Sequence, residues 1–457
     1  MTEGDTICLS KTSKQILVLA WRLLSKTCAT LIDFLKITLN SQDFLSRYRL
    51  SEKHFSRNRK LTLPIVVLFL MNWVRSSLQK ELDGFFQILH STDMPVRKVT
   101  AGAWCRARRK LAFEAFVELG AKLVSFFYAT FPHRRWKGFR LLAVDGSTLR
   151  VPSNHETKRF FGVWHPAKGK KTCPLARVSL LYDVLNHLTV HALMSPKNEG
   201  ERALAAKHLE SAGPDDLLLL DRGYTGYAFF AQVLSRKSHF LVRMKQNQTV
   251  VKKFLSSGKR EQFITLEPSP LARKACDQKG IPAAPLKLRI LRFTVKNRCR
   301  VILLTSLLDR ERFPLSELKE LYSKRWEVES AYKWIKCRIE IENFSGKSPL
   351  TILQDFHARV LTANLAAVIA HPVQDRLQQE DKEHPPKHAR RINFTYALSA
   401  MKDNVVSLLT GNTVLEILHA LFRLLHKTLS VIRPGRRNPR KKGPKLKLFA
   451  MAYKPIA

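Results

Sequence analysis

Acidic residues are scarce in this chain. Its 457 residues carry 37 Asp and Glu against 79 Lys and Arg, a formal charge of +42. That shortage excludes an enzyme of small neutral substrates as the first reading. A protein this basic repels itself unless a polyanion compensates, and nucleic acid is the commonest polyanion. Paired cysteines are missing as well. The seven cysteines are scattered with no CxxC spacing, so neither a disulfide framework nor a zinc ribbon is supported, and a reducing compartment is expected. There is no long hydrophobic run. Leu63 to Val74 spans only about 12 residues where about 20 are needed to cross a bilayer, and MTEGDTICLSK at the start lacks the layout of a signal peptide. The expectation is a soluble cytoplasmic protein, nucleoid-associated if bacterial, with no membrane partner. No internal repeat is visible. What is present is a globular balance, 45% apolar and 25% charged, long enough for two to four domains at roughly 150 residues each.

The first 135 residues read as helical. Leu17, Leu19, Leu23 and Leu24, then Leu31, Phe34, Leu35 and Ile37, recur at three- to four-residue steps. Val99 to Phe127 repeats the pattern around a basic cluster, Arg106, Arg108, Arg109 and Lys110. Such a cluster fits equally a helix lying on DNA and a solvated face. From Phe139 the texture turns to short Val-, Leu- and Ile-rich runs. Arg140 to Val144, Ala176 to Tyr182, His187 to Leu193, Leu217 to Leu220 and His239 to Met244 read as strands, with helices at Asn198–Leu209 and Tyr227–Leu234. That alternation describes a mixed α/β sheet. Residues 246–310 look β-rich, and a helical pattern resumes from Leu315 to Ile339. The polar stretch 371–392, with Pro385-Pro386, suits a linker or exposed loop. The tail after Val431 holds eight Lys or Arg from Arg433 to Lys447 and little to bury.

Asp145 in LLAVDGS and Asp221 in LLLLDRG occupy the same local position. Each ends a buried strand and precedes a glycine-containing turn, where open α/β sheets bind ligands. Either aspartate alone reads as a turn residue. Two brought together repel unless a divalent cation lies between them, and hard oxygen ligands select magnesium or manganese. A third group lies in LYSKRWEVESAYKWIK. On a continuous helix, Tyr322 and Lys336 fall within about 20° of Glu329 and Arg325 within about 40°. The stripe is therefore phenol, guanidinium, carboxylate and ammonium, opposite an apolar face of Leu321, Val328, Ala331 and Ile335.

Tyr322-x2-Arg325-x3-Glu329-x6-Lys336, with AVDGSTLRVP, LLLLDRGY and HFLVRMKQN in the same order, resembles the Y-R-E-K signature and aspartate blocks of DDE transposases of the insertion sequence 4 family. The resemblance covers residues from about 80 to about 365. It implies an RNase H-like catalytic core with a β-rich insertion, flanked by N-terminal and C-terminal helical regions. The segments are 1–135 (helical, DNA-binding), 136–245 (first part of the core), 246–310 (insertion), 311–370 (second part, with the glutamate helix) and 371–457 (helical, with the basic tail).

By the same resemblance Asp145, Asp221 and Glu329 are the catalytic acids, ligating two divalent cations, Mg2+ with Mn2+ as substitute. Tyr322, Arg325 and Lys336 hold DNA phosphates. Arg106, Arg108 and Arg109 are candidate contacts to the element ends, and Lys168, Lys170 and Lys171 line the DNA path. The family's chemistry is nicking at terminal inverted repeats, a hairpin intermediate and strand transfer into target DNA, carried out by a dimer in the synaptic complex. The aromatic ring that stacks a flipped base is not assigned, and Trp326 and Trp334 read equally well as core. The competing readings are a catalytically silent or domesticated DNA-binding protein, a related metal-dependent nuclease without strand transfer, and a basic RNA-binding scaffold whose acids are structural.

Overall fold

An uninterrupted apolar strand such as Leu217–Leu220 has to be covered on both faces, which suits the middle of a partly parallel sheet. In the computed structural model, which describes residues 11–57, 59–165, 172–295, 299–337 and 341–433, every residue of that strand is buried. The chain divides into two compact units. One runs from His133 to Pro349, and the other combines the residues before and after it.

The His133–Pro349 unit carries β1 (Arg140–Arg150), β2 (Val163–Trp164), β3 (Cys173–Asp183), β4 (Leu188–Pro196), β5 (Asp216–Leu220), β6 (His239–Arg243), β7 (Glu261–Leu266), β8 (Leu286–Val295) and β9 (Cys299–Thr305). Among the described residues these form one nine-stranded sheet in the order β2-β3-β1-β5-β6-β9-β8-β7, with β4 also paired to β3. β1, β3 and β4 are antiparallel. The turn between β3 and β4 is held by Asp183, whose Oδ1 accepts from the backbone N–H groups of Leu185 and Asn186 at 2.9 and 3.0 Å. β1, β5 and β6 are parallel. Parallel neighbours need crossover connections, and the helices Glu201–His208 and Tyr227–Ser235 lie in them.

β9, β8 and β7 prolong the sheet in antiparallel fashion. The β-rich stretch therefore extends the first part of the sheet and shares its core. Leu142, Val144, Leu218, Leu220, Phe240 and Val242 belong to the same buried cluster as Leu288, Ile290, Ile302 and Leu304. Phe230 stacks on Phe240 at 4.5 Å, and burying each such ring stabilises the fold by about 2–3 kcal/mol.

The helical unit is built on Lys11–Asn40, Leu63–Met71, Leu78–His90, Ala101–Arg108, Glu114–Thr130, Pro349–Glu383, Phe394–Thr410 and Val414–Lys427. Leu63–Met71, the longest apolar run, starts with Pro at its first turn and is buried along most of its length, as expected of a helix apolar all round. No helix among the described residues is long and apolar enough to cross a membrane. Pro349–Glu383 corrects the linker expected at 371–392. It continues through Pro372 to Glu383, and His371, Pro372, Val373 and Leu377 are buried. The polar composition of that stretch belongs to the exposed last turns, and the helix runs straight across the 370/371 boundary expected from sequence. The basic tail from residue 434 lies outside the described residues.

Candidate active site

Backbone register aligns two aspartates that stand 76 positions apart in sequence. β1 pairs with β5 as Arg140 with Asp216, Leu141 with Leu217, Leu142 with Leu218 and Ala143 with Leu219. Two residues further along each chain come Asp145 and Asp221, and Asp221 keeps an extended backbone (φ −80°, ψ 167°). The two carboxylates thus start from neighbouring parallel chains, about one strand spacing (~4.8 Å) apart. One expectation needs correction here. Asp145 does not end its strand, because β1 continues to Arg150 on β3, with Asp145 opposite Leu180. What ends is the parallel partner. β5 ends at Leu220, and its pairing to β1 runs only as far as Ala143 with Leu219.

Glu329 comes from a helix that is not continuous with Tyr322. Leu315–Ser323 and Trp326–Cys337 are separate helices, joined through Lys324 and Arg325 by the tighter bonds Lys324 N–H to Leu321 O and Arg325 N–H to Tyr322 O. The break leaves Tyr322, Arg325 and Glu329 together. Tyr322 donates its hydroxyl to Leu220 O at 3.2 Å, pinning it at the tip of β5 immediately before Asp221. Arg325 is buried and its Nη2 donates to Glu329 Oε1 at 3.2 Å. Tyr332, one turn on, donates to Asp145 O at 2.8 Å, which ties the glutamate helix to β1. Lys336 lies in that helix, but its side chain is outside those described, as are Lys168, Lys170 and Lys171. Trp326 is 51% exposed, with the Arg325 guanidinium 5.1 Å from its ring centre. It is not a core residue.

The electrostatics are those of a crowded acidic site. Burial pushes the Asp145 carboxyl up to about 6, and the charges of Glu329 and Asp221 push in the same direction, against the Gly146 N–H and Arg325. Burial alone would lower Arg325, yet Tyr322, Asp221, Glu329 and Asp145 together hold its guanidinium above the ordinary value. Burial first, then Asp221, raises Tyr322 to about 12 against the pull of Arg325, so its hydroxyl stays a donor.

This donor set suits a hard divalent cation. It consists of carboxylate oxygens, and their mutual repulsion is what a cation relieves. The side chains do not enclose an ion as they stand. Among the described residues no three His, Cys, Asp or Glu groups converge closely enough to hold one in this arrangement. Among the described side chains Arg325, paired to Glu329, is a cation that acts on these carboxylates.

Of the N-terminal arginines, Arg106 and Arg109 are exposed and Arg108 is not. Arg108 is buried, with Nε donating to Gln354 Oε1 at 3.0 Å and Nη2 to Thr351 O and Asp355 Oδ1, each at 2.9 Å. It is committed to the core, and the expectation of a DNA contact there is withdrawn. The helix stops at Arg108, with Arg109 as its C-cap.

Sequence reasoning missed Glu201. It opens the helix that crosses from β4 to β5, packs against Gly146 so closely that an added Cβ there would meet its Cγ at 3.2 Å, and pairs with Arg177 at 3.1 Å. An acid in the first turn of a helix is too ordinary a signal to have singled it out.

An α/β sheet with paired aspartates beside the end of its central strand, and an arginine–glutamate pair facing them from a helix, defines a class of protein built for phosphate chemistry. Residues 136–365 match the family described as Transposase DDE domain. The chain is 27% identical over 318 residues to the transposase InsG for insertion sequence element IS4 of Escherichia coli strain K12, covering 68% of this chain and 70% of that protein. Among solved structures it is similar to a piggyBac transposase synaptic complex with hairpin DNA, at a TM-score of 0.47 and 8% identity, over 91% of this chain and 88% of that one. The chain belongs to the DDE transposases, in the insertion sequence 4 family, and is a DDE-type transposase enzyme. Enzymes of this family generally use divalent metal ions.

Proposed function

We propose that this transposase binds the terminal inverted repeats of its element and excises and reinserts it by a cut-and-paste route. The steps are nicking, a hairpin at the freed end, reopening and strand transfer to target DNA, performed by a dimer in the synaptic complex. The observation that carries the proposal is the β1–β5 register, which aligns Asp145 with Asp221 opposite the Arg325–Glu329 pair. The strand order β4-β3-β1-β5-β6, three antiparallel then three parallel with β1 common to both sets, supports an RNase H-like core.

In this reading Asp145, Asp221 and Glu329 hold two divalent cations, Mg2+ or Mn2+. Bound there, such cations lower the pKa of the attacking water or 3′-hydroxyl and stabilise the leaving oxygen. The chain's own residues do the positioning. Arg325 spends one donor on Glu329, and its Nε is buried without a partner. It therefore keeps donors for a phosphate, and a planar guanidinium fits two phosphate oxygens at once. As Arg325 turns to a phosphate, Glu329 is released from its ion pair toward the aspartates. Tyr322, held neutral and fixed to Leu220 O, orients Arg325 and offers a hydroxyl beside Asp221. Lys336 adds a point charge to the same phosphates, and Arg106 and Arg109 contact the element ends.

The experiment is end cleavage on labelled inverted-repeat DNA with Mg2+, comparing the wild type with Asp145→Asn, Asp221→Asn and Glu329→Gln. Each substitution is expected to abolish nicking while end binding survives, and a hairpin-ended fragment should accumulate in the wild type. Nicking that survives Glu329→Gln would remove the assignment. Nicking without any hairpin or joined product would leave a nuclease.

A further inference from the structure

The helical unit contains a groove of about 960 Å3 whose walls come from two separate stretches of chain. Lys53, Arg57, Arg59 and Lys60 line one wall, and Arg106, Arg109 and Lys110 line the other. Among the described residues no Asp or Glu lines it. None of these seven cations is ion-paired to a carboxylate among the described residues, although elsewhere in the unit Arg47 has two such partners and Arg97, Arg108 and Lys402 have at least one each.

The groove is built, not incidental. Leu50 N–H donates to Lys110 O and Ala112 N–H to Tyr48 O, both at 2.9 Å, with Arg49 bridged to Leu111. These bonds clamp the start of the 50s loop to the end of the arginine-bearing helix. Lys60 Nζ reaches Lys98 O at 3.4 Å at the other end of the loop. Two basic segments far apart in sequence are thus held facing each other, against the repulsion between them. Such an arrangement persists at a cost unless a polyanion occupies it.

We infer that this groove grips the sugar-phosphate backbone of duplex DNA independently of base sequence, with the 50s loop supplying most of the charge. The inference rests on the reading of the chain as a DNA-binding transposase, and it adds which surface binds and what that surface reads. The groove offers cations in quantity. Among the described lining side chains only His54 and Ser56 carry an acceptor for a base donor, so the amino groups of adenine and cytosine would go largely unread and only guanine could meet the arginine forks. Phosphate contacts position a protein on DNA without specifying sequence.

The test uses the full chain with two labelled duplexes, one carrying the element's terminal repeat and one of scrambled sequence. The variant Lys53→Gln/Arg57→Gln/Arg59→Gln/Lys60→Gln changes only exposed side chains. An equal loss of charge elsewhere is provided by Lys26→Gln/Lys382→Gln/Lys387→Gln/Arg391→Gln, also at exposed positions. The loop variant is expected to weaken both duplexes by the same factor, about ten-fold or more at near-physiological salt. The slope of log affinity against log salt should fall by about 0.9 for each phosphate no longer neutralised. The control should move neither by more than about two-fold, and both variants should melt at the wild-type temperature. Equal weakening by the control would reduce the effect to net charge and overturn the groove. Selective loss on the terminal repeat would overturn the backbone reading in favour of base recognition. An unchanged loop variant would place DNA elsewhere on the chain. If the wild type itself bound neither duplex, the DNA-binding reading would fail, an outcome separate from failure of the groove.

Discussion

Arg108 and Arg325 are both buried, at 2% and 5% exposure, yet their surroundings differ in kind. Arg108, in the helical unit, is enclosed by a carboxylate, a carboxamide and a backbone carbonyl. Gln354 returns the contact, donating to Arg108 O and Leu111 O at 2.9 and 2.7 Å. Arg325, in the sheet unit, has one ion pair, an Nε without a partner and further acids around it. A buried cation whose donors are used up holds a fold together. One left under-bonded among carboxylates can exchange partners, which is what phosphate handling requires. Burial alone does not distinguish the two cases, but the state of the remaining donors does.

The sharpest way to break this contrast is to remove the acids on one side of it. Asp221→Ala or Glu329→Ala is expected to lower end cleavage by about a thousand-fold or more, since the charge stabilising the reaction is lost, with little change in melting temperature. Next in size is Arg108→Met, which strands Asp355 in the core. Breaking a buried pair from one side costs about 3–5 kcal/mol, readable as a large fall in the denaturation midpoint. Arg108→Met/Asp355→Leu should recover most of it. Arg325→Lys should do the reverse of Arg108→Met. Stability should change by less than about 1 kcal/mol, because Glu329 is partly exposed and lysine keeps a positive charge beside it. Turnover should fall by roughly ten- to a hundred-fold, because an ammonium cannot replace a fork. If Arg325→Lys unfolded the protein while Arg108→Met left it stable, the two arginines would have exchanged roles and the comparison would be wrong.

Much of the sheet unit could be read from sequence because its signals are local. LLLL ending at Asp221 and RLLAV leading to Asp145 are strand patterns with an acid at a definite place, and the Y-R-E spacing survives the break between two helices. What could not be read is where pairing stops. Nothing in STLR after Gly146 says that β1 continues on one neighbour after losing the other. In the helical unit the legible and the hidden are reversed. The RARRK run was conspicuous, but which of its arginines faces outward depends on Gln354 and Asp355, more than 240 positions away. Lys53, Arg57, Arg59 and Lys60 follow no helical or strand period, so their convergence appears only once Leu50 and Ala112 are bonded across the groove. The polar run after His371 hid a helix because its apolar contacts, Val373 and Leu377, are too few to show a period.

The smallest effect expected concerns two histidines, His191 on β4 and His208 at the end of the helix Glu201–His208. His208 Nε2 lies 2.9 Å from Ser179 Oγ, and its Nδ1 lies 3.0 Å from His191 Nδ1. Burial, and for His208 also the neighbouring ring, holds the His208 imidazole well below its ordinary value and lowers His191 as well. The folded pair therefore stays neutral where the unfolded histidines take up protons. Below about pH 6.5 the unfolded state binds more protons, so stability falls as pH falls, by about 1 kcal/mol for one such histidine near pH 5.5. Asp145 acts in the opposite sense. Its carboxyl, raised to about 6, is protonated in the folded state while still ionised in the unfolded one, which favours the folded state as pH drops toward that range. The histidine effect is thus isolated by difference. Denaturation midpoints at about pH 7.5 and about pH 5.5 are compared between the wild type and His208→Gln, with Asp145 common to both. The wild type should lose about 1 kcal/mol more over that interval. Equal losses would mean that the acid sensitivity of the sheet unit comes from its carboxylates, and that the buried imidazoles, like Arg108, are only part of the architecture.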